Sequence, residues 1–448
     1  MARFRIIAMA LTLFVLWFAI QSQTADATTN ISKKKRKCDF ELPYHQKRRR
    51  QLWSPLKKRL GPDNFRTHHR ISENLFGKIH NRIAPHIYTD PKYVRKSCCR
   101  GEVSHVYTRS RLSMTLKHLG GSRTCDIASF HGVSRQTVGH SIRQTFDAII
   151  QEYPIAPFPF DNVVELQKLA DGFKAKSTGG LFDGVVGTVD GFLLRVCKAS
   201  IGNKSGIKDP SKFYCRKKYY AVNCQVCCDA HRRITSLSML SPGAVPDTLA
   251  HQKSALHMAI EAGELPDGFY FLGDGAYPLS EHMLTPCKRP ELLTDVDGSK
   301  DNYNFYLSQL RINIECCFGM LVNQWPILQS TLLTPRLRNA LDTFHVCCIL
   351  HNLCVNERLS RGDDCTTQRY AKGCRYTQVP RLHTTSCLRS ASDFEFVDVV
   401  DEVEAHALTL SHERDRARAV TEPALTRKQK MVNKIARSGY VRPSRKNK

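Results

Sequence analysis

The sequence predicts a helical region followed by an α/β domain. Apolar residues recur at helical spacing as far as about residue 150, and from about residue 182 the pattern changes to short apolar or alternating runs separated by helical stretches. Two of the predicted strands run into an acid, Asp190 and Asp274.

The elements follow in order. Arg3 and Arg5 precede an apolar run from Ile6 to Ile20, and Ala25-Asp26-Ala27 has the small-x-small form of a cleavage site, so residues 1–30 read as a signal-like segment or as a spurious upstream start. The run is too short for a stable membrane span. Residues 31–65 read as a basic, disordered linker, with an unbroken run at Lys33–Lys37 and another at Lys47–Arg50. Residues 66–155 read as helical, beginning with Ile71, Leu75, Phe76, Ile79 and Ile83 on one face. Within them Thr124–Phe130 is a short helix, Gly132-Val133 a turn, and Ser134 a cap for a helix with Val138, Ile142 and Phe146 along one side. That is the helix-turn-helix pattern. It exposes Arg135, Gln136, His140, Arg143 and Gln144, with Arg135 and Gln136 at the helix start where base edges are read; a plain helical bundle is the alternative.

The α/β part, about residues 180–357, begins with a strand from Val185 to Val189 ending at Asp190. Tyr219–Cys228 alternates and ends at Asp229, and Arg233–Leu240 is its hairpin partner. Pro246–Ala262 is helical, Gly268–Gly273 is a strand ending at Asp274, and Asn304–Leu321 and Leu337–Val355 are helices. Residues 358–448 read as a variable tail, basic and free of acid from Arg427 onward.

Charge narrows the partner. Among 448 residues, 67 Lys and Arg face 41 Asp and Glu, a net charge of +26, which points to a polyanion such as DNA. Among the 18 cysteines stand four adjacent pairs in apolar runs (Cys98-Cys99, Cys227-Cys228, Cys316-Cys317, Cys347-Cys348), the pattern of buried free thiols. Cys224 and Cys227 have C-x-x-C spacing without a second pair, weak grounds for zinc. Free thiols and polybasic runs together predict the nucleus; the signal-like segment predicts secretion instead.

Phosphodiester cleavage by two metals needs carboxylates converging on ions about 4 Å apart. Asp190 and Asp274 at strand ends, and Glu315 among Ile312, Ile314, Phe318 and Leu321, are the candidates, because an acid in apolar company is costly unless paired or metal-bound. Arg216, Lys217 and Lys218, just before a strand, are candidates for a DNA phosphate. His351 reads as a buried, hydrogen-bonded helix residue.

At this level of detail the chain resembles the PIF/Harbinger transposases and nucleases derived from them, in the DDE endonuclease superfamily. The resemblance lies in Gly187-Thr-Val-Asp-Gly191, Tyr214-Cys-Arg-Lys-Lys-Tyr-Tyr220 with Asn223, Pro242-Gly-Ala-Val-Pro-Asp247, Leu272-Gly-Asp-Gly-Ala-Tyr-Pro-Leu279 with Thr285-Pro286, Arg311-Ile-Asn-Ile-Glu-Cys-Cys-Phe-Gly319 with Trp325, and His351-Asn352. It runs from about residue 70 to 357 and implies a ribonuclease-H-like fold for the α/β domain. It implies Asp190, Asp274 and Glu315 as the catalytic, metal-binding triad, with Asp247 as a fourth metal carboxylate, and Mg²⁺ or Mn²⁺ as the cofactor. It also implies DNA as substrate, a Myb-like DNA-binding partner protein, and room for a homo-oligomer. Two departures stand out: Gly191-Phe192-Leu193 replaces a polar run, and Ala244 and Pro246 replace Ser and His before the fourth acid. The predicted function is a metal-dependent endonuclease of transposase origin; a DNA-binding protein that keeps the fold without cleavage is the alternative.

Overall fold

The computed structural model describes residues 51–88, 106–202, 207–362 and 422–443. The signal-like segment, the basic runs before residue 51 and Cys98-Cys99 lie outside them. Among the described residues no helix is long and apolar enough to cross a membrane.

The helical region comprises α1 (Trp53–His69), α2 (Glu73–Ile87), α3 (Thr108–Leu119), α4 (Thr124–His131) and α5 (Arg135–Glu152). Helix α1 corrects the linker expectation for residues 53–65. Trp53, Leu56, Leu60 and Phe65 are buried, with Trp53 stacked on Phe76 at 5.0 Å. Its apolar stripe is broken at Gly61, which has non-helical dihedrals, and basic residues lie between the apolar ones, so periodicity alone misses it. The helix-turn-helix geometry is as predicted. Gly132 closes α4 in the left-handed conformation, and the Ser134 hydroxyl accepts the Thr137 N–H at 3.0 Å to start α5.

Helix α6 (Val163–Lys176) leads into one mixed sheet of β1 (Val185–Arg195), β2 (Ala221–Cys228), β3 (Ile234–Pro242), β4 (Tyr270–Leu272) and β5 (Met283–Leu284), in the order β3-β2-β1-β4-β5. Strands β1, β2 and β3 are antiparallel; β4 and β5 continue the sheet in parallel with β1. Strand β1 is longer than expected. Asp190 lies mid-strand opposite Val226, because Gly191–Arg195 pair with Gln225–Ala221. The stretch Pro246–Ala262 divides into α7 (Asp247–Gln252) and α8 (Ala255–Glu261), and α9 (Arg289–Leu293) precedes the long α10 (Ser299–Gln324) and α11 (Leu337–Ser360).

Helices cover both faces of the sheet. Phe192, Leu194, Cys224, Val226 and Cys228 on one face meet Ile314, Phe318 and Leu321 of α10 and Phe344 of α11, in an apolar cluster that continues into α1–α5. Val186, Val189 and Phe271 on the other face meet Leu166 of α6 and Leu256 and Ile260 of α8. Helix α12 (Glu422–Arg437) corrects the free-tail expectation for its residues: Val432 and Ile435 are buried with Leu307 and Leu310 of α10, and Lys428 pairs with Glu291 at 2.9 Å. The described cysteines are free thiols, and both Cys224 and Cys227 are buried in the sheet.

Helix α11 also fastens the sheet edge. Asn352 accepts the Ile234 N–H at 2.8 Å and donates to the Ile234 carbonyl at 2.8 Å, as a neighbouring strand would. The buried His351 Nε2 donates to the Arg232 carbonyl at 2.8 Å. Replacing Asn352 by Ala leaves both backbone groups of Ile234 unpaired, and a loss of about 1–3 kcal/mol is expected in urea unfolding; an unchanged midpoint refutes the clamp.

Candidate metal and nucleic-acid site

Register brings the first two acids together. Thr188 of β1 pairs with Leu272, the last residue of β4, in parallel, so Asp190 further along β1 and Asp274 just beyond the end of β4 are each two residues past that pair. The Asp190 Oδ1 accepts the Gly191 N–H at 2.8 Å, and the Asp274 Oδ1 accepts the Ala276 N–H at 2.8 Å. Asp247 arrives from the first turn of α7, where Thr248 donates to the Ala276 carbonyl and ties that turn to the loop after β4. Gly191 makes room for it: a Cβ there would lie 2.2 Å from the Asp247 Oδ1.

The charges of Asp274 and Asp247 reach Asp190. Burial, then the charges of Asp274 and Asp247, push the Asp190 carboxyl up to about 6, against the lowering effects of the Gly191 N–H and the Arg311 guanidinium. The buried Tyr277 phenol is pushed well above its ordinary range, by burial first and then by Asp190, Asp247 and Asp274 in turn. Tyr277 therefore lies within reach of all three charges. Its ring packs edge-on against the buried His251 of α7 at 5.3 Å.

Glu315 is placed differently. It stands on the exposed side of α10, with Ile312 also exposed, while Ile314, Phe318 and Leu321 turn to the core; the apolar company expected for it belongs to the opposite face. Its carboxylate is ion-paired to Arg311 one turn earlier, the same guanidinium whose charge reaches Asp190. Among the described residues no three His, Cys, Asp or Glu side chains form a group able to hold a metal ion as they stand. As donors the aspartates still suit a hard divalent cation, being carboxylate oxygens of which one carries an unfavourable charge; as a closed shell the arrangement is incomplete.

The basic candidates separate into two groups. Arg135, Gln136 and His140 are exposed at the start of α5, as a reading helix requires. Arg143 is not: it bonds Asp342 of α11 at 2.5 Å and Asp147 at 2.7 Å, so it packs α5 onto the α/β region instead of offering itself to DNA. Arg216 and Lys217 are exposed on the tight turn before β2, closed by Cys215 and Tyr219 and by Lys218 at φ 63°, and the Arg216 Nη2 lies 4.0 Å from the Asp247 Oδ2.

Three residues beside the acids carried no site role in the sequence reading, although Asn223 and Arg311 lie in its motifs. Gln225 and Asn223 alternate along β2 and point polar atoms at Asp247, a signal masked by the C-x-x-C spacing around Gln225. Arg311, one helical turn before Glu315, is the third. The raised Asp190 value has a testable consequence. A carboxyl that holds its proton more tightly in the folded state costs stability as pH rises from the ordinary 3.8 through about 6, and the cost persists above that. In EDTA, Asp190→Asn is expected to be more stable than the unaltered protein by about 1–3 kcal/mol at pH 8, with the gap closing below pH 4. A gap independent of pH contradicts the placement.

Residues 189–352 match the family described as DDE superfamily endonuclease. The chain is 24% identical over 225 residues to the protein named "Putative nuclease HARBI1" in both Homo sapiens and Bos taurus, covering 50% of this chain and 60% of theirs. It is 22% identical over 161 residues to "Protein ALP1-like" of Arabidopsis thaliana, covering 33% of this chain and 38% of that one. The chain thus spans well under two thirds of the length of the curated relatives it matches. No solved structure matches it. The motifs around Asp190, Asp274 and Glu315 fall inside the matched segment, so residues 189–352 are similar to the DDE superfamily endonuclease family, and the similarity to the two named relatives extends over 225 and 161 residues.

Proposed function

We propose that this chain is a metal-dependent DNA endonuclease of transposase origin, with a ribonuclease-H-like catalytic domain. The observation that carries the reading is that Asp190, Asp247 and Asp274 come from three separate elements to one end of the sheet, Asp190 and Asp274 in step through the β1–β4 register and Asp247 beside Gly191. The mixed sheet, three antiparallel strands continued by two parallel ones, supports the fold assignment.

In this reading Asp190, Asp274 and Asp247 hold Mg²⁺ or Mn²⁺, and Glu315 joins them once its pairing with Arg311 opens. When bound, the cations supply activation of the attacking water and stabilisation of the leaving oxygen. Arg216 and Lys217 hold a phosphate beside Asp247, and Arg135, Gln136 and His140 meet the duplex at the start of α5. A Myb-like partner protein and self-association extend DNA contact beyond one chain, and the polybasic segment before residue 51 directs the protein to the nucleus. The Arg311–Glu315 pair favours a second reading, a DNA-binding protein without cleavage, because it occupies the third acid of the triad.

Cleavage of supercoiled plasmid decides between them. With Mg²⁺ or Mn²⁺ the protein is expected to nick DNA, and Asp274→Asn to lose at least about a thousandfold in rate, on the scale of removing a principal charge-stabilising group. Equal activity in both proteins refutes the triad, and DNA binding without nicking, with partner protein present, establishes the second reading. For the address, residues 1–60 fused to a fluorescent reporter are expected to enter the nucleus; reporter in the medium overturns this.

A further inference from the structure

The polar side chains between Tyr277 and Asp247 form a path with a direction. The Tyr277 hydroxyl donates to the Gln225 Oε1 at 2.6 Å. The Gln225 Nε2 donates to the Asn223 Oδ1 at 2.9 Å and lies 3.5 Å from the Asp247 Oδ1. The Asn223 Nδ2 donates to the Asp247 Oδ1 at 2.8 Å and to the Val245 carbonyl at 3.0 Å. A carboxylate only accepts, so both amides must meet Asp247 nitrogen first; that leaves the Gln225 oxygen facing the phenol, which can donate to it. The ends of the path therefore fix the orientation of both amides.

The path is also dry and closed in. Tyr277 is 1% exposed, Asn223 2% and Gln225 4%. A Cβ on Gly191 would lie 2.2 Å from the Asp247 Oδ1 and 3.0 Å from the Gln225 Nε2, so a larger residue there would displace these side chains. The two oxygens of Asp247 consequently differ. Oδ1 is engaged by both amides, whereas Oδ2 has the exposed Arg216 guanidinium 4.0 Å away.

We propose that Tyr277, Gln225 and Asn223 are positioning residues that lock the Asp247 carboxylate through Oδ1 and turn Oδ2, which the exposed Arg216 approaches at 4.0 Å, toward a divalent cation. The proposal rests on the acidic cluster being a metal site. Amides that orient a carboxylate ligand strengthen metal binding without touching the ion.

The test is Mn²⁺ titration by calorimetry on the full chain without DNA, comparing the unaltered protein with Asp274→Asn, Gln225→Met and Tyr277→Phe. Both relay variants are expected to bind Mn²⁺ about tenfold to a hundredfold more weakly, with circular dichroism and unfolding temperature in EDTA close to those of the unaltered protein. Tyr277→Phe deletes one hydroxyl and keeps the ring, so it decides the matter if Gln225→Met does not fold. A folded variant that binds Mn²⁺ within twofold of the unaltered protein, while Asp274→Asn does not bind, overturns the positioning role alone. No Mn²⁺ binding by the unaltered protein, or undiminished binding by Asp274→Asn, overturns the metal reading and the relay with it.

Discussion

Like charges brought close together in partly buried surroundings repel, and the α/β domain must tolerate that repulsion at its aspartates. The cost falls on Asp190, whose carboxyl is raised by burial and by its two neighbours. Several features offset it in part. Backbone N–H groups of Gly191 and Ala276 meet Asp190 and Asp274, the Asn223 amide meets Asp247, and the field of Arg311 reaches Asp190. None of these neutralises three carboxylates, which is the electrostatic condition in which a divalent cation gains most.

Helix α11 is the element through which the rest of the fold supports this cluster. Asp342 near its start holds Arg143 of α5, and His351 and Asn352 further along hold the β2–β3 hairpin. Strand β2 carries Asn223 and Gln225, so fixing the hairpin also fixes the groups that face Asp247. Helical region and sheet share one continuous apolar cluster, and the exposed start of α5 is carried on the same packed body as the acids.

How much of this was legible depended on whether the signal was local. Asp190 and Asp274 end apolar runs, a local pattern, and the strands read from those runs are β1 and β4, with Asp274 just after β4. That Asp190 is mid-strand was not legible, because the second half of β1 exists by pairing with β2. Arg143 looked exposed because its partner Asp342 is 199 residues away. Helices α1 and α12 were hidden by basic residues between a few apolar ones, whose burial comes from docking rather than from propensity. Asp247 came from family resemblance, since an acid in the first turn of a short helix looks like an ordinary dipole partner. Glu315 illustrates the opposite case: Ile314, Phe318 and Leu321, near it in sequence, lie on the other side of the helix, so the burial argument for it failed.

The distribution of charge supports the metal reading from another direction. The chain carries +26 overall, yet the aspartates gather at one end of the β1–β4 pair, with the exposed Arg216 4.0 Å from Asp247. A basic protein attracts a phosphate backbone over its whole surface, but an acidic cluster repels that backbone at short range. The two are compatible at the same place only when positive charge lies between carboxylate and phosphate. Arg216 and Lys217 supply some of it at the rim, and Arg311 is committed to Glu315. What remains is a deficit of positive charge at the centre of the cluster, of the magnitude and hardness that a divalent cation with oxygen ligands provides.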